Sequence, residues 1–138
     1  MFRIELVDWA RAREQAAAIR LEVFVTEQGV PAALEMDELD APSLHALAFD
    51  GDDAVGTGRL LPDGHIGRMA VLKPWRSRGI GSLILGRLME AARQRGDRHV
   101  ALSAQVHALE FYRAHGFRPE GPVYDEAGIP HQAMRRTL

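Results

Sequence analysis

The sequence contains no cysteine among its 138 residues, which excludes disulfide bonds, a thiolate nucleophile and cysteine-based zinc sites. It also lacks any apolar run near the ~20 residues that cross a bilayer, and Met1–Glu5 is not the apolar segment of a signal peptide. We therefore expect a cytoplasmic protein with no membrane partner. The length predicts one domain over residues 1–138, large enough to bury a core.

A large excess of charge of either sign is lacking as well. The 17 lysines and arginines nearly balance 19 aspartates and glutamates, for a formal net charge of −2, so no nucleic-acid partner is expected. His45, His65 and His107 lack the helical i, i+4 spacing of zinc ligands and predict no metal site. Histidines of this kind are more often structural or surface residues. Catalysis must then rely on oxygen and nitrogen groups.

The N-terminal third predicts a strand, a helix and a loop. Apolar and charged residues alternate over Phe2–Val7, as in a half-buried strand. Asp8 can cap a following helix, whose apolar stripe recurs every three or four residues up to Val23. We expect this helix to end near Phe24–Val25, because β-branched residues disfavour its continuation. The acidic segment Pro31–Ser43 predicts a loop.

The remaining elements follow in an order typical of a mixed α/β sheet. Two strands flank the turn Asp50–Asp53 and a third covers about His65–Leu72, which predicts an antiparallel meander. An amphipathic helix then ends near Gly96 and leads into a strand at His99–Ala104, parallel to the strand before the helix. A short helix over 106–115 and two terminal strands over 117–123 and 131–137 complete the predicted sheet.

The most informative segment is the glycine turn that opens the amphipathic helix, Arg76-Ser77-Arg78-Gly79-Ile80-Gly81. A turn freed of side chains by Gly79 and Gly81 can aim consecutive backbone N–H groups at one anion. The helix N-terminus adds unpaired donors and the positive end of its dipole. Because Arg76 and Arg78 can clamp an anion held there, the segment predicts a pyrophosphate site.

Two separated motifs together resemble the Gcn5-related N-acetyltransferase superfamily over nearly the whole chain. The first is the glycine turn with the preceding Val71, and the second is Gln105–Tyr112 followed by Gly116-Phe117, in which Gln105 stands where asparagine is usual. The resemblance implies a mostly antiparallel central sheet whose parallel strand–helix–strand unit is splayed to bind acetyl-CoA. The residues that it implies in cofactor binding are Met69, Ala70, Val71, Arg76, Ser77, Arg78, Gly79, Ile80, Gly81, Ser82, Gln105, Ala108, Phe111 and Tyr112.

The resemblance also implies catalytic roles. Tyr112 matches the family's general acid, which protonates the departing thiolate, and a tyrosine of ordinary pKa keeps its proton at neutral pH. The base that deprotonates the amine stays open among Glu27, Glu35, Asp37 and His65 acting through water. Of these we take Glu27 as the catalytic candidate.

The N-terminal half is similar to a narrower group of small, stand-alone bacterial acetyltransferases, through Arg20–Pro31 and the acidic segment that leads to His45. The acidic residues predict either an acceptor site, at which carboxylates attract an ammonium group and one of them accepts its proton, or a solvated loop. Arg59 and Arg68 either bind a substrate carboxylate or pair with the acidic residues. The predicted substrate residues are Glu27, Gln28, Glu35, Asp37, His45, Arg59 and Arg68.

We therefore expect an acetyl-CoA-dependent N-acetyltransferase, in which a small-molecule primary amine attacks the thioester directly. The Val71 N–H would stabilise the oxyanion. Two alternatives are a non-catalytic acyl-CoA sensor and an enzyme like the acyl-homoserine-lactone synthases, which share the general layout. A homodimer would form through Gly58–Leu61 or the terminal strands.

Overall fold

The computed structural model describes residues 2–35 and 37–138. Asp8 caps the first helix by accepting a 3.0 Å hydrogen bond from the Arg11 N–H. The hairpins of the meander lie where the sequence predicts them. The elements of the first half are β1 (Phe2–Val7), α1 (Trp9–Arg20), a π-helical segment (Leu21–Glu27), α2 (Ala32–Glu35), β2 (Leu44–Asp50), β3 (Asp53–Leu60) and β4 (Ile66–Val71).

The second half begins with a single 3₁₀ turn at Lys73–Trp75, and a second such turn at Val106–Ala108 follows β5. The predicted short helix at 106–115 is therefore divided into a 3₁₀ turn and an α-helix. The other elements of this half are α3 (Ile80–Gln94), β5 (His99–Gln105), α4 (Leu109–Ala114), β6 (Arg118–Glu126) and β7 (Ile129–Thr137). No helix among residues 2–35 and 37–138 is long and apolar enough to cross a bilayer.

The described strands form two sheets, with the orders β1-β2-β3-β4 and β5-β7-β6. A parallel bridge between His65 and Ala101 joins them. The mixed α/β class is confirmed, but the single sheet predicted from the sequence is wrong in detail. β5 takes its antiparallel ladder from β7 along His99–Gln105, because the terminal hairpin returns beside it instead of extending the first sheet.

The first sheet carries α1 on one face and α3 on the other. Successive residues of β2 point to opposite faces, so Ala46 and Ala48 pack with α3 while Leu47 and Phe49 pack with α1. The apolar side of α3 supplies much of the main core. Residues of β5 and β7 in the second sheet, and of α4, pack against the same core.

Glycines let α3 lie close on β3. A Cβ added at Gly58 would be 2.9 Å from Ile84 Cγ2 and 3.1 Å from Leu88 Cδ1, and one at Gly56 would be 3.0 Å from Ile84 Cδ1. These separations are shorter than ordinary carbon–carbon contacts. The lack of side chains at Gly56 and Gly58 thus sets the distance between α3 and β3. It thereby also sets the position of the turn that precedes α3.

The helix after β1 does not end near Phe24–Val25 as predicted. It widens into the π-helical segment, and the Gln28 N–H continues that pattern by donating to the Val23 carbonyl at 3.2 Å. Val23 is buried with Ala70 of β4, so packing keeps the segment helical despite its β-branched residues. The predicted loop that follows contains α2. π-Helical turns are rare and often mark functional sites.

The prediction that Gly58–Leu61 forms a free sheet edge for a dimer is wrong for the residues that lie in β3, because β3 pairs with both β2 and β4. β6 is an edge strand of the second sheet and is exposed along all nine residues. A homodimer through the terminal strands stays a prediction.

Candidate active site

A slot opens between β4 and β5, the neighbouring edges of the two sheets. At its closed end the Ala101 N–H donates to the Gly64 carbonyl at 3.1 Å, beside the bridge from His65. Beyond this point β4 pairs with β3, and β5 pairs with β7. Among the described strands none pairs with the edge of β4 that faces β5. The backbone groups of Gly67–Val71 that point away from β3 are therefore available to an extended ligand, except the Val71 carbonyl, which accepts a hydrogen bond from Arg76 Nε.

The glycine turn lies at the open end of this slot. Gly79 adopts a left-handed conformation with φ of +82° at the N-cap of α3, and no described side chain caps the helix there. The first N–H groups of α3 consequently remain free for an anion. The turn faces a cavity of about 480 Å³, lined by Val71, Trp75, Arg76, Ser77, Gly79, Ile80, Gly81, Ser82 and Phe111.

Most residues predicted to bind the cofactor line this cavity, and their side chains have different contacts. Ile80 is 1% exposed and packs in the core, so only its backbone faces the turn. Gly81 lies beside the Phe111 ring, and a Cβ added at Gly81 would be 3.4 Å from Phe111 Cζ. The Ser82 hydroxyl lies 2.9 Å from His115 Nε2. The predicted residues outside the lining are Met69, Ala70, Arg78, Gln105, Ala108 and Tyr112.

Tyr112 reaches across the slot from α4. Its hydroxyl lies 3.9 Å from the Met69 sulfur on β4, and the rings of Phe111 and Phe117 contact it edge-on with centroids 5.0 and 5.9 Å away. Burial raises the pKa of Tyr112 to about 12. The phenol therefore keeps its proton throughout the physiological range.

Glu27 and Arg76 form an ion pair at the end of β4, beside the glycine turn. Arg76 Nη2 donates to Glu27 Oε1 at 2.8 Å, and Arg76 Nε donates to the Val71 carbonyl at 2.8 Å. One guanidinium thus links the end of the π-helical segment to the end of β4. The predicted base and the predicted anion clamp are in direct contact.

Gln28 and Gln105 form a second link across the slot. Gln105 Nε2 donates to Gln28 Oε1 at 2.8 Å, and Gln28 Nε2 donates to Gln105 Oε1 at 3.2 Å. Gln28 follows the π-helical segment, whereas Gln105 ends β5. A residue predicted for the substrate thereby touches one predicted for the cofactor.

Several other predicted substrate residues lie in a buried charge network. Arg20 pairs with Glu35 through Nε, and its Nη1 and Nη2 donate to Asp40 at 2.8 and 3.0 Å. Arg59 Nη1 donates to Asp37 at 2.7 Å and to Asp40 at 2.9 Å. Burial alone would raise the pKa of Asp40, but Arg20 and Arg59 hold it below its usual range. A hydrogen bond from Arg59 likewise lowers the pKa of Asp37.

Glu35, His45 and Arg59 were predicted to contact substrate, and the structure instead gives them buried protein contacts. They are 4%, 1% and 5% exposed, because the acidic segment folds back onto the sheet and its carboxylates meet arginines there. His45 Nε2 bonds the Asp40 carbonyl at 2.8 Å, and burial lowers the pKa of His45. Of the two alternatives for the arginines, pairing with the acidic residues is the one observed.

Arg68 completes this network at its more exposed rim. Its Nη2 donates to Asp37 at 3.2 Å, its Nε donates to the Glu35 carbonyl at 3.1 Å, and its backbone has a φ of +49°. That conformation accompanies an irregularity in the pairing of β3 with β4. His65, the remaining candidate base, is exposed at the bridge to Ala101, with Nδ1 3.0 Å from Asp63 Oδ1.

Sequence reasoning missed the central role of Arg20 and Asp40 in this network. Arg20 lies on the buried face of α1 with Ala12, Ala16 and Ile19. An arginine on an apolar helical stripe requires a carboxylate partner when it is buried. That position, with the acidic segment that follows, is the pattern that identifies the network. Trp75, which also lines the cavity, was not singled out either.

The chain is similar to known proteins in both sequence and fold. Residues 10–138 match the family model described as acetyltransferase (GNAT) domain. The chain is 42% identical over 127 residues to the uncharacterised N-acetyltransferase YjcF of Bacillus subtilis, with 89% of this chain and 91% of the relative covered.

Two solved structures are also similar to the fold. An acyl-CoA N-acyltransferase from Pseudomonas aeruginosa superposes with a TM-score of 0.88 and 31% identity, with 99% of each chain covered. Escherichia coli ElaA superposes with a TM-score of 0.88 and 28% identity, again with 99% of each chain covered.

Proposed function

Since the chain belongs to the GNAT acetyltransferase family, we propose that it transfers an acetyl group from acetyl-CoA to a primary amine of a small molecule. The family supports acyl transfer from an acyl-CoA donor; the acetyl group and the amine are the proposed part. The observation that carries the proposal is the edge of β4 that no described strand pairs with, which runs into a glycine turn that no described side chain caps.

These groups fit the donor chemically. A pyrophosphate is an anion that free N–H groups at a helix start can hold, and Arg76 lines the same cavity. The amide-rich arm of CoA can pair with Gly67–Val71 in the manner of an added strand. When bound, acetyl-CoA supplies an activated thioester, and every other requirement falls on side chains and backbone groups of this chain.

Glu27 is the residue we propose as base. An alkylamine of pKa near ~10 is almost wholly protonated at neutral pH and must lose a proton before it attacks. Arg76 contacts Glu27 Oε1, which leaves Oε2 without a partner among the described residues. By contrast, the Glu35 side chain is only 4% exposed and pairs with Arg20, and Arg59 donates to both carboxylate oxygens of Asp37. The 26% exposure of the Glu27 side chain and its Oε2, free among the described residues, favour Glu27 as the base. Because Glu35, His45 and Arg59 are buried, we do not propose them as substrate contacts.

Tyr112 is the residue we propose as general acid. Its protonated hydroxyl and its place beside Met69 of β4 suit donation to a thiolate that leaves along this strand. The Val71 N–H is the proposed oxyanion donor, since preorganised backbone donors at this position require no reorganisation during the reaction. Direct transfer needs no acylated protein residue.

A panel of small-molecule amines, scored for thiol release from acetyl-CoA and for the mass of the N-acetyl product, tests the proposal. We expect equal amounts of free CoA and acetylated amine for at least one class. Tight CoA binding with no thiol release from any amine would instead favour a sensor. Lactone formation that depends on S-adenosylmethionine and an acyl carrier would favour the synthase alternative.

A further inference from the structure

The amide pair between Gln28 and Gln105 joins the two halves of the proposed site. Gln105 ends β5 on the donor side, whereas Gln28 directly follows the proposed base Glu27. Their amides exchange two hydrogen bonds of 2.8 and 3.2 Å, although 77 residues separate them. Both side chains are partly buried, so water competes less for these bonds than at the surface.

An amide pair of this kind leaves one N–H donor and one oxygen lone pair of each glutamine without a partner in the pair. Each glutamine amide has two N–H donors and an oxygen with two lone pairs, and the reciprocal pair uses one donor and one lone pair of each. Gln105 can therefore donate its second N–H to a ligand carbonyl without releasing Gln28. The pair fixes the plane of the Gln105 amide and hence the direction of that free donor.

Side-chain length at position 105 decides whether this pair exists. An asparagine would withdraw the amide by about 1.5 Å, the length of one carbon–carbon bond. That change would lengthen the 2.8 Å bond beyond hydrogen-bonding range. The glutamine that departs from the usual residue thus has a partner on the acceptor side of the slot.

We propose that Gln28 is a positioning residue, which orients the Gln105 amide toward a carbonyl of the acyl-CoA arm and so couples the acceptor segment to donor binding. This inference rests on the proposed function, because it requires that the slot binds acyl-CoA. Gln28 itself need not touch the donor.

Calorimetric titration of acetyl-CoA into a double-mutant cycle tests the proposal without any acceptor. Gln28→Leu should weaken binding about 3- to 10-fold, the range for one net hydrogen bond. Gln105→Leu should weaken it at least as much, and the double variant should match Gln105→Leu alone, since Gln28 acts through Gln105. Gln94→Leu, on the exposed end of α3, is the control and should bind like the wild type.

Unchanged affinity in Gln28→Leu, or losses that multiply in the double variant, would overturn the inference. Urea unfolding of each variant establishes that it is folded, and Gln28→Ser provides a smaller, polar replacement that should show the same loss. Absence of acetyl-CoA binding by the wild type would overturn the proposed function itself, which separates the two failures.

Discussion

At the residue scale, the buried charges around Asp40 explain how the acidic segment is held on the sheet. Asp40 accepts hydrogen bonds from both Arg20 and Arg59, and it is 2% exposed. Removing one member of a buried ion pair leaves an uncompensated charge, which typically costs about 3–5 kcal/mol. The network therefore fixes the segment that follows Glu27, at the acceptor side of the proposed site.

Asp40→Asn should lower the free energy of unfolding by about 3 kcal/mol or more, measured by urea denaturation at pH 7. Asp52→Asn, on the exposed turn between β2 and β3, is the matched control and should change stability by less than about 0.5 kcal/mol. Equal effects of the two substitutions would contradict the structural role of the network.

Acid should destabilise the wild type through the same carboxylates. The folded state lowers the pKa of Asp37 and Asp40 from the ordinary 3.8, so their contribution is present above that value and is lost as pH falls through the folded values. Urea unfolding between pH 5 and pH 2.5 should show a steeper loss for the wild type than for Asp40→Asn. Parallel curves would be inconsistent with this linkage.

Tyr112→Phe should reduce kcat by a factor of about 10² or more, the usual contribution of a general acid, while acetyl-CoA affinity stays nearly unchanged. With a pKa of about 12 for Tyr112, the wild-type rate should rise with pH as the amine loses its proton and show no decline below about pH 11. Tyr124→Phe, on the edge strand β6, is the control. A declining limb near pH 10, or full activity of Tyr112→Phe, would exclude Tyr112 as the acid.

At the scale of elements, the seating of α3 on β3 positions the glycine turn. Gly58→Ala places a Cβ 2.9 Å from Ile84 Cγ2, and overpacking of this kind costs about 1–3 kcal/mol. Gly67→Ala on β4 meets no atom within 4 Å, so it should be neutral or slightly stabilising. Thermal unfolding of the pair measures the difference, and equal melting temperatures would argue against close packing.

Elements with strong local patterns were predictable from the sequence, and those set by tertiary contacts were not. Residues adjacent in the sequence determine three of these features: the Asp8 cap, the hairpin at Asp50 and the glycine turn. The π-helical segment depends on burial of Val23 against β4. Likewise, the division into two sheets depends on β7 pairing with β5, which local periodicity does not encode.

The site shows the same division. The glycine turn of the proposed donor side was predictable as a cluster of free N–H groups, because its residues are consecutive in the sequence. The acceptor side combines residues far apart in the sequence, such as Arg20 with Asp40 and Gln28 with Gln105. Charge alone could not tell a buried carboxylate from a partly exposed one, so Glu35 was indistinguishable from Glu27 in the sequence.

At the scale of the whole molecule, the two sheets separate to form a slot while sharing one core. α3 follows β4 and precedes β5, and its buried face packs against both sheets. The free edge of β4, the glycine turn and Tyr112 therefore belong to a single packed unit. The proposed function requires that this unit is an acyl-CoA site whose anion-binding groups depend on the turn at Gly79.

Calorimetric titration of acetyl-CoA into the wild type, Gly79→Ala and Gly86→Ala tests this requirement. Gly79 has a φ of +82°, whereas Gly86 lies in α3 without a positive φ, and neither has an atom within 4 Å of an added Cβ. Alanine costs about 1–2 kcal/mol in the left-handed conformation, so the turn should rearrange and lose its aimed N–H groups. We predict one equivalent bound by the wild type and by Gly86→Ala, and at least about tenfold weaker binding by Gly79→Ala. No binding by the wild type, or equal affinity in all three proteins, would show that the turn at Gly79 does not hold an acyl-CoA anion.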